Sequence, residues 1–142
     1  MPALAHYPSP ECTPSDDRGL NLRLVFVGGG LGSVARVLTG KAVGAALGDK
    51  FPFGTLAVNV LGCLVIGMLI PIWARHGKSV PPYAFLVTGV LGGFTTVSAL
   101  GLETCEKFAT GRTNLALLNI ALTVIAGLAA VGAGARVGRV FG

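Results

Sequence analysis

In this chain of 142 residues, 52% of the side chains are apolar and only 12% are charged, and mean hydropathy reaches +0.74. Soluble domains carry about 25% charged residues, so a water-soluble globule of ordinary composition is excluded. The net charge of +5 does not point to nucleic acid, because lysine and arginine stand singly between apolar stretches and form no basic run.

Residues 1–20 are proline-rich, weakly hydrophobic and carry no basic region ahead of an apolar stretch. They read as a disordered tail rather than a signal peptide, which leaves residues 21–142 as a membrane domain whose first helix directs insertion. The first apolar segment runs from about Asn21 to Leu47 and is interrupted by Arg36 and Lys41. Its LVFVGGGLGSVA stretch contains Gly30-x-Gly32-x-x-Ala35 with Asp49 further on, which imitates a dinucleotide-binding fingerprint. That fold requires alternating strands and helices with polar outer faces, whereas only uninterrupted apolar spans follow. The glycines Gly28, Gly32, Gly40, Gly44 and Gly48 instead make a small-residue face on which backbones approach closely, within one chain or between two.

The second segment, Phe51–Ala74, and the third, Ser79–Leu102, each hold 24 residues without a charge, and the fourth, Thr113–Ala135, holds 23. About 20 apolar residues suffice to cross the hydrocarbon core, so an all-α protein with four transmembrane helices is expected. The connections, at 48–50, 75–78 and 103–112, are short, which predicts an up-down bundle with both termini on one side. One side then carries Arg18, Arg23, Arg75, Lys78, Arg136 and Arg139, the other Lys41, Lys50, Lys107 and Arg112. Six basic residues against four is a weak bias, and the positive-inside rule assigns no firm orientation. The three cysteines, Cys12, Cys63 and Cys105, lack metal-binding spacing and read as free thiols.

Polar groups inside a membrane need a reason. The first span carries Ser33, Arg36 and Thr39; the second, Thr55 and Asn59; the third, Thr88 and the cluster Gly92-Gly93-Phe94-Thr95-Thr96-x-Ser98; the fourth, Asn114, Asn119 and Thr123. No acidic residue lies in mid-span, Glu103 standing at an end, so a proton-coupled cation exporter lacks the carboxylate it needs. One cation together with hydroxyls and amides makes an environment suited to a small anion. The pair Gly92-Gly93 either breaks the third helix, exposing carbonyl oxygens of the kind that hold Na⁺ or K⁺, or serves helix packing.

These residues resemble a known family. Gly28-Gly29-x-x-Gly32-x-x-x-Arg36, Gly54-Thr55-Leu56-x-Val58-Asn59-x-x-Gly62 and Gly92-Gly93-Phe94-Thr95-Thr96-x-Ser98 occur in the order and spans of the CrcB/Fluc fluoride channels. The resemblance implies a multi-pass protein of the bacterial inner membrane, forming an antiparallel dual-topology homodimer whose two pores export F⁻ passively. It also implies a structural, non-transported Na⁺ held by the backbone carbonyls of Gly92 and Thr95 from each subunit. Asn59 would donate its amide to F⁻, with Thr96 and Ser98 beside it and Thr123 lining a polar track on the fourth helix. Arg36 would support the pore entrance, or pair with a helix C-terminal carbonyl. Fluoride holds its water strongly, and such donors can replace it. The chain departs from the family at Val97 and Leu100, where two phenylalanines are usual, and at Asn119, where tyrosine is frequent. Aliphatic side chains offer an anion no electropositive ring edge. The leading expectation is a fluoride channel and not an enzyme; the alternative is an auxiliary subunit that assembles with a homologous, phenylalanine-bearing chain.

Overall fold

The computed structural model describes residues 17–76 and 80–141. Among them every regular element is helical: α1 (Asp17–Leu47), α2 (Phe53–His76), α3 (Val80–Tyr83), a π-helical segment (Ala84–Leu91), α4 (Gly92–Phe94), α5 (Val97–Ala109) and α6 (Thr113–Phe141). From α3 to α5 the chain makes one interrupted span. Four spans are therefore long and apolar enough to cross a membrane: Gly19–Leu47, Phe53–Arg75, Pro81–Ala109 and Thr113–Val140. The expected four-helix architecture, broken in its third member, is what the chain adopts.

Its boundaries differ from those read from composition. Residues 17–20 belong to α1, and the remainder of the expected tail lies outside the described residues, as do Gly77 and Lys78 of the second connection. The expected loop at 103–112 shrinks to a tight turn, because α5 continues to Ala109. There Gly111 takes φ +71°, its amide bonds the Phe108 carbonyl, and the Arg112 amide bonds the Lys107 carbonyl at 2.8 Å. These are the two hydrogen bonds of a Schellman motif, and they need the left-handed conformation that glycine adopts without strain. Similarly, α6 runs past Ala135 to Phe141. Arg136 and Arg139 are exposed near its C-terminus, where a cation suits the helix dipole and its long stem can follow the apolar surface to water.

Glycine positions set how the helices approach. α1 runs beside the third span: a Cβ on Gly28 would lie 2.5 Å from the Phe85 carbonyl oxygen, and one on Gly32 would strike the Val90 carbonyl. Farther along α1, Gly40 meets Gly54 of α2, where a Cβ on Gly54 would sit 2.9 Å from the Gly40 oxygen. α2 and α6 run parallel, with Gly67 against Val131 and Gly138 against Met68. Only hydrogen stands between these backbones, which maximises dispersion contact in a medium that supplies no hydrophobic driving force between helices. Trp73 and Tyr83 meet as tilted rings at one end (centroids 5.4 Å apart), Phe51 and Phe53 at the other (5.0 Å). Aromatic rings at both ends suit the two membrane–water boundaries.

Candidate functional site

The site is built around the interruption of the third span. At Thr95 the chain leaves the helix: its amide and its hydroxyl both donate to the Leu91 carbonyl, each at 3.0 Å. Thr95 and Thr96 are extended (ψ 153° and 113°) before α5 begins at Val97. A break in lipid must satisfy its backbone groups internally, and Asn59 of α2 does so. Its Nδ2 donates to the Thr96 carbonyl at 3.1 Å, and its Oδ1 accepts from the Thr96 amide at 2.8 Å. This reciprocal pairing also fixes which end of the side-chain amide is oxygen. Thr96 Oγ1 accepts from the Ala99 amide at 3.2 Å, capping α5, and shares a 3.1 Å hydroxyl–hydroxyl bond with the exposed Ser98.

The break therefore lies after the glycine pair, not at it. Gly92 keeps right-handed helical angles (φ −62°, ψ −37°), and a Cβ on Gly93 would strike the Gly29 carbonyl of α1. The glycines serve packing, and two threonines held by an asparagine make the interruption. Its consequence falls on particular carbonyls. In an unbroken helix the Thr96 amide would bond the Gly92 carbonyl and the Ala99 amide the Thr95 carbonyl. The first is diverted to Asn59 and the second to Thr96 Oγ1.

A groove of about 600 Å³ runs past the break between α2, the third span and α6. Asn59 and Thr123 line it with Gly92 and Thr95, so these four candidates are brought together. Thr96 joins through its backbone pairing with Asn59 and Ser98 through its bond to Thr96, while neither lines the groove. Arg36 is not among the lining residues: it is half-buried on α1, one turn beyond Gly32 and one before Gly40, in the stripe that packs on neighbouring helices. Val97 and Leu100 line the groove, and Val97 is 81% exposed. Phe94 instead lies over α2, its Cδ1 3.6 Å from where a Gly62 Cβ would be.

Two buried polar side chains of α6 are left with an open valence. Thr123 is 9% exposed and its hydroxyl has no partner among the described residues. Asn119, a turn earlier, is fully buried; its Nδ2 donates to Thr104 Oγ1 at 3.2 Å while Oδ1 has no partner. Its amide is thus committed to α5, a pairing that sequence position alone did not reveal.

Glu103 lies toward one end of the third span, as expected, but it is held there by a contact that the sequence does not show. It stands in the middle of α5, inside the third span, and accepts a hydrogen bond from Thr55 Oγ1 at 2.5 Å. Its other oxygen is buried without a partner among the described residues. The residue opens onto a smaller cavity of about 290 Å³ at the end of the bundle, shared with Asp49, Glu106 and Lys107. The carboxylate thus sits toward the end of the third span and not at its mid-depth. Its signal was the threonine of α2 one turn before Asn59, but a contact across 48 positions is invisible to local pattern.

The matched residues of one protein family, described as CrcB-like protein, Camphor Resistance (CrcB), run from 23 to 135, across all four spans and the break. The chain belongs to the CrcB family. Similar proteins include the fluoride-specific ion channel FluC of Agrobacterium fabrum (strain C58 / ATCC 33970), 43% identical over 121 residues, covering 84% of this chain and 97% of that protein. The fluoride-specific ion channel FluC of Xanthomonas axonopodis pv. citri (strain 306) is 46% identical over 121 residues, covering 83% of this chain and 90% of the relative. That of Paracoccus denitrificans (strain Pd 1222) is 46% identical over 120 residues, covering 81% and 91%. With four membrane-length helices and this kinship, the CrcB chain is a multi-pass membrane protein.

Proposed function

We propose that this CrcB chain forms a passive, fluoride-selective channel that lowers internal F⁻, and that it catalyses no reaction. The observation that carries the reading is the pair of buried polar side chains, Asn59 and Thr123, that line one groove beside the helix break, the Thr123 hydroxyl finding no partner among the described residues. One amide hydrogen of Asn59 holds Thr96; the other is available to an anion. A strongly hydrated ion crosses lipid only where donors stand in for water. Kinship with proteins named fluoride-specific channels supplies the identity of the ion.

The residues at the break also fit a structural Na⁺. The carbonyls of Gly92 and Thr95 lose their helical donors to Asn59 and Thr96, and hard cations take neutral oxygens of this kind. Bound there, Na⁺ would supply a fixed positive charge that no side chain of the groove carries. A single copy contributes too few oxygens, and its groove is open with Val97 exposed on it. The reading therefore includes an antiparallel homodimer in which a second copy completes both the cation's ligands and the pore wall.

Efflux of F⁻ from liposomes containing only the purified chain, read with a fluoride electrode beside a Cl⁻ control, is the test. Rapid F⁻ loss without Cl⁻ loss is expected, and would mean that Val97 and Leu100 can replace an aromatic pair. No efflux from folded dimers would overturn the reading in favour of a subunit that needs a phenylalanine-bearing partner.

A further inference from the structure

Positive charge meets different company at the two ends of the bundle. At the end where α5 turns into α6, Lys41, Lys50, Lys107 and Arg112 stand with the carboxylates of Asp49, Glu103 and Glu106, and one cavity gathers Lys107 with all three acids. The opposite end, marked by the Trp73–Tyr83 pair, carries Arg23, Arg75, Arg136 and Arg139, all exposed. Among the described side chains it holds no carboxylate. Parallel α2 and α6 both finish there, and their C-terminal carbonyls attract cations. That does not account for Arg23, which lies within two turns of the start of α1. It stands at the same end because Gly28 packs on Phe85, two residues past Tyr83.

Two of the four arginines converge. Arg139 is the outermost α6 residue of a small cleft, about 30 Å³, whose α2 wall includes Ile70, Pro71 and Ala74. Arg75 follows Ala74 directly, so both guanidinium groups serve the same corner of the bundle, with Arg136 one turn deeper on α6. Apart from Arg139 the cleft is lined by apolar residues and glycine. An apolar wall on the midplane side of paired cations is the order in which a lipid presents its acyl chain and its phosphate.

We infer that this corner holds the phosphate of an anionic phospholipid, with Arg75 and Arg139 as its charged ligands and the upper acyl chain against the cleft. Guanidinium forks match phosphate oxygens in pairs, and the described side chains at this end offer them no other anion. A zwitterionic lipid brings its own ammonium group, which competes for the phosphate; an anionic lipid does not. The inference stands whether or not the groove conducts F⁻.

Trp73 is the only tryptophan of the chain and lies two positions before Arg75, so its fluorescence reports on this corner alone. The test reconstitutes the full chain in phosphatidylcholine vesicles containing a small fraction of dibrominated phosphatidylglycerol or dibrominated phosphatidylcholine, whose bromines quench tryptophan on contact. Stronger quenching by the anionic lipid is expected, equivalent to a roughly fivefold preference that shrinks in high NaCl. Arg75→Gln with Arg139→Gln should bring the two lipids to parity, whereas Lys50→Gln with Arg112→Gln at the far end leaves the preference intact. Should the double arginine variant misfold, Arg139→Gln alone takes its place and is expected to lower the preference. Equal quenching of the unmodified chain by both lipids overturns the inference without recourse to any variant. A preference that survives loss of the arginines in a chain eluting as wild type overturns it too, as does one lost in the far-end control. Loss of the preference on adding inorganic phosphate, but not NaCl of equal ionic strength, would assign the arginines to free phosphate and overturn the lipid site.

Discussion

Asn59 holds the helix break, and in the proposed channel its second amide hydrogen would also serve F⁻. Its Oδ1 and Nδ2 hold both backbone groups of Thr96 across the helix break. Asn59→Ala would leave that N–H and C=O unpaired in a part-buried site, at a cost of about 1–3 kcal/mol each. Lower thermal stability in detergent and a loss of F⁻ efflux of roughly tenfold or more are both expected. Asn59→Asp keeps an acceptor for the Thr96 amide but removes the donor and adds negative charge; it should hold more stability than alanine and still pass no F⁻. Thr123→Val is the sharper probe. Because the Thr123 hydroxyl has no partner among the described residues, replacing it by a methyl breaks no hydrogen bond among them. Stability should stay within about 1 kcal/mol or rise, while efflux drops. Wild-type efflux from Thr123→Val would remove that hydroxyl from the path.

At the scale of the element, the third span is positioned by backbone contact. Gly93 lies against the Gly29 carbonyl and Gly32 against the Val90 carbonyl, so neither tolerates a Cβ without the helices moving apart. Gly93→Ala should cost about 1–3 kcal/mol by overpacking and shift the break relative to α2, lowering both melting temperature and efflux. Gly30 on the outer face of α1 is the control, since a Cβ there meets nothing within 4 Å. Gly30→Ala should be neutral or slightly stabilising, because alanine favours helix by about 1 kcal/mol over glycine. If the two variants melted alike, close α1 packing would not be what holds the third span.

For the whole molecule, exposure is the governing fact. Phe26 is 83% and Val97 81% exposed in the single chain, and few side chains are fully buried. Lipid covers such an outer face, but a groove with buried polar groups requires protein or water on its open side. Replacing Na⁺ by N-methyl-D-glucamine throughout purification should therefore lower both dimer stability and F⁻ efflux, as read by size-exclusion chromatography and the fluoride electrode. Unchanged assembly and flux without Na⁺ would rule out a cation on the Gly92 and Thr95 carbonyls.

Much of this molecule is legible in its sequence because lipid imposes a simple rule. Uncharged runs long enough to cross hydrocarbon become helices, since no other open segment satisfies its own backbone there. That rule yields the four spans, their alternation and the short list of intramembrane polar residues from which Asn59 and Thr123 were drawn. Helix ends are less legible: α5 and α6 outrun their apolar stretches because Glu103 finds Thr55 and the arginines reach water. The tertiary structure alone decided where the third helix breaks. Gly92-Gly93 looked like the weak point, yet they are clamped as helix against α1, and the interruption falls where Asn59, 37 positions away in sequence, offers the Thr96 backbone a better partner than its own helix. Propensity acts over a few residues, whereas a buried backbone group goes to whichever donor or acceptor the fold brings within reach, and that is known only once the helices are packed.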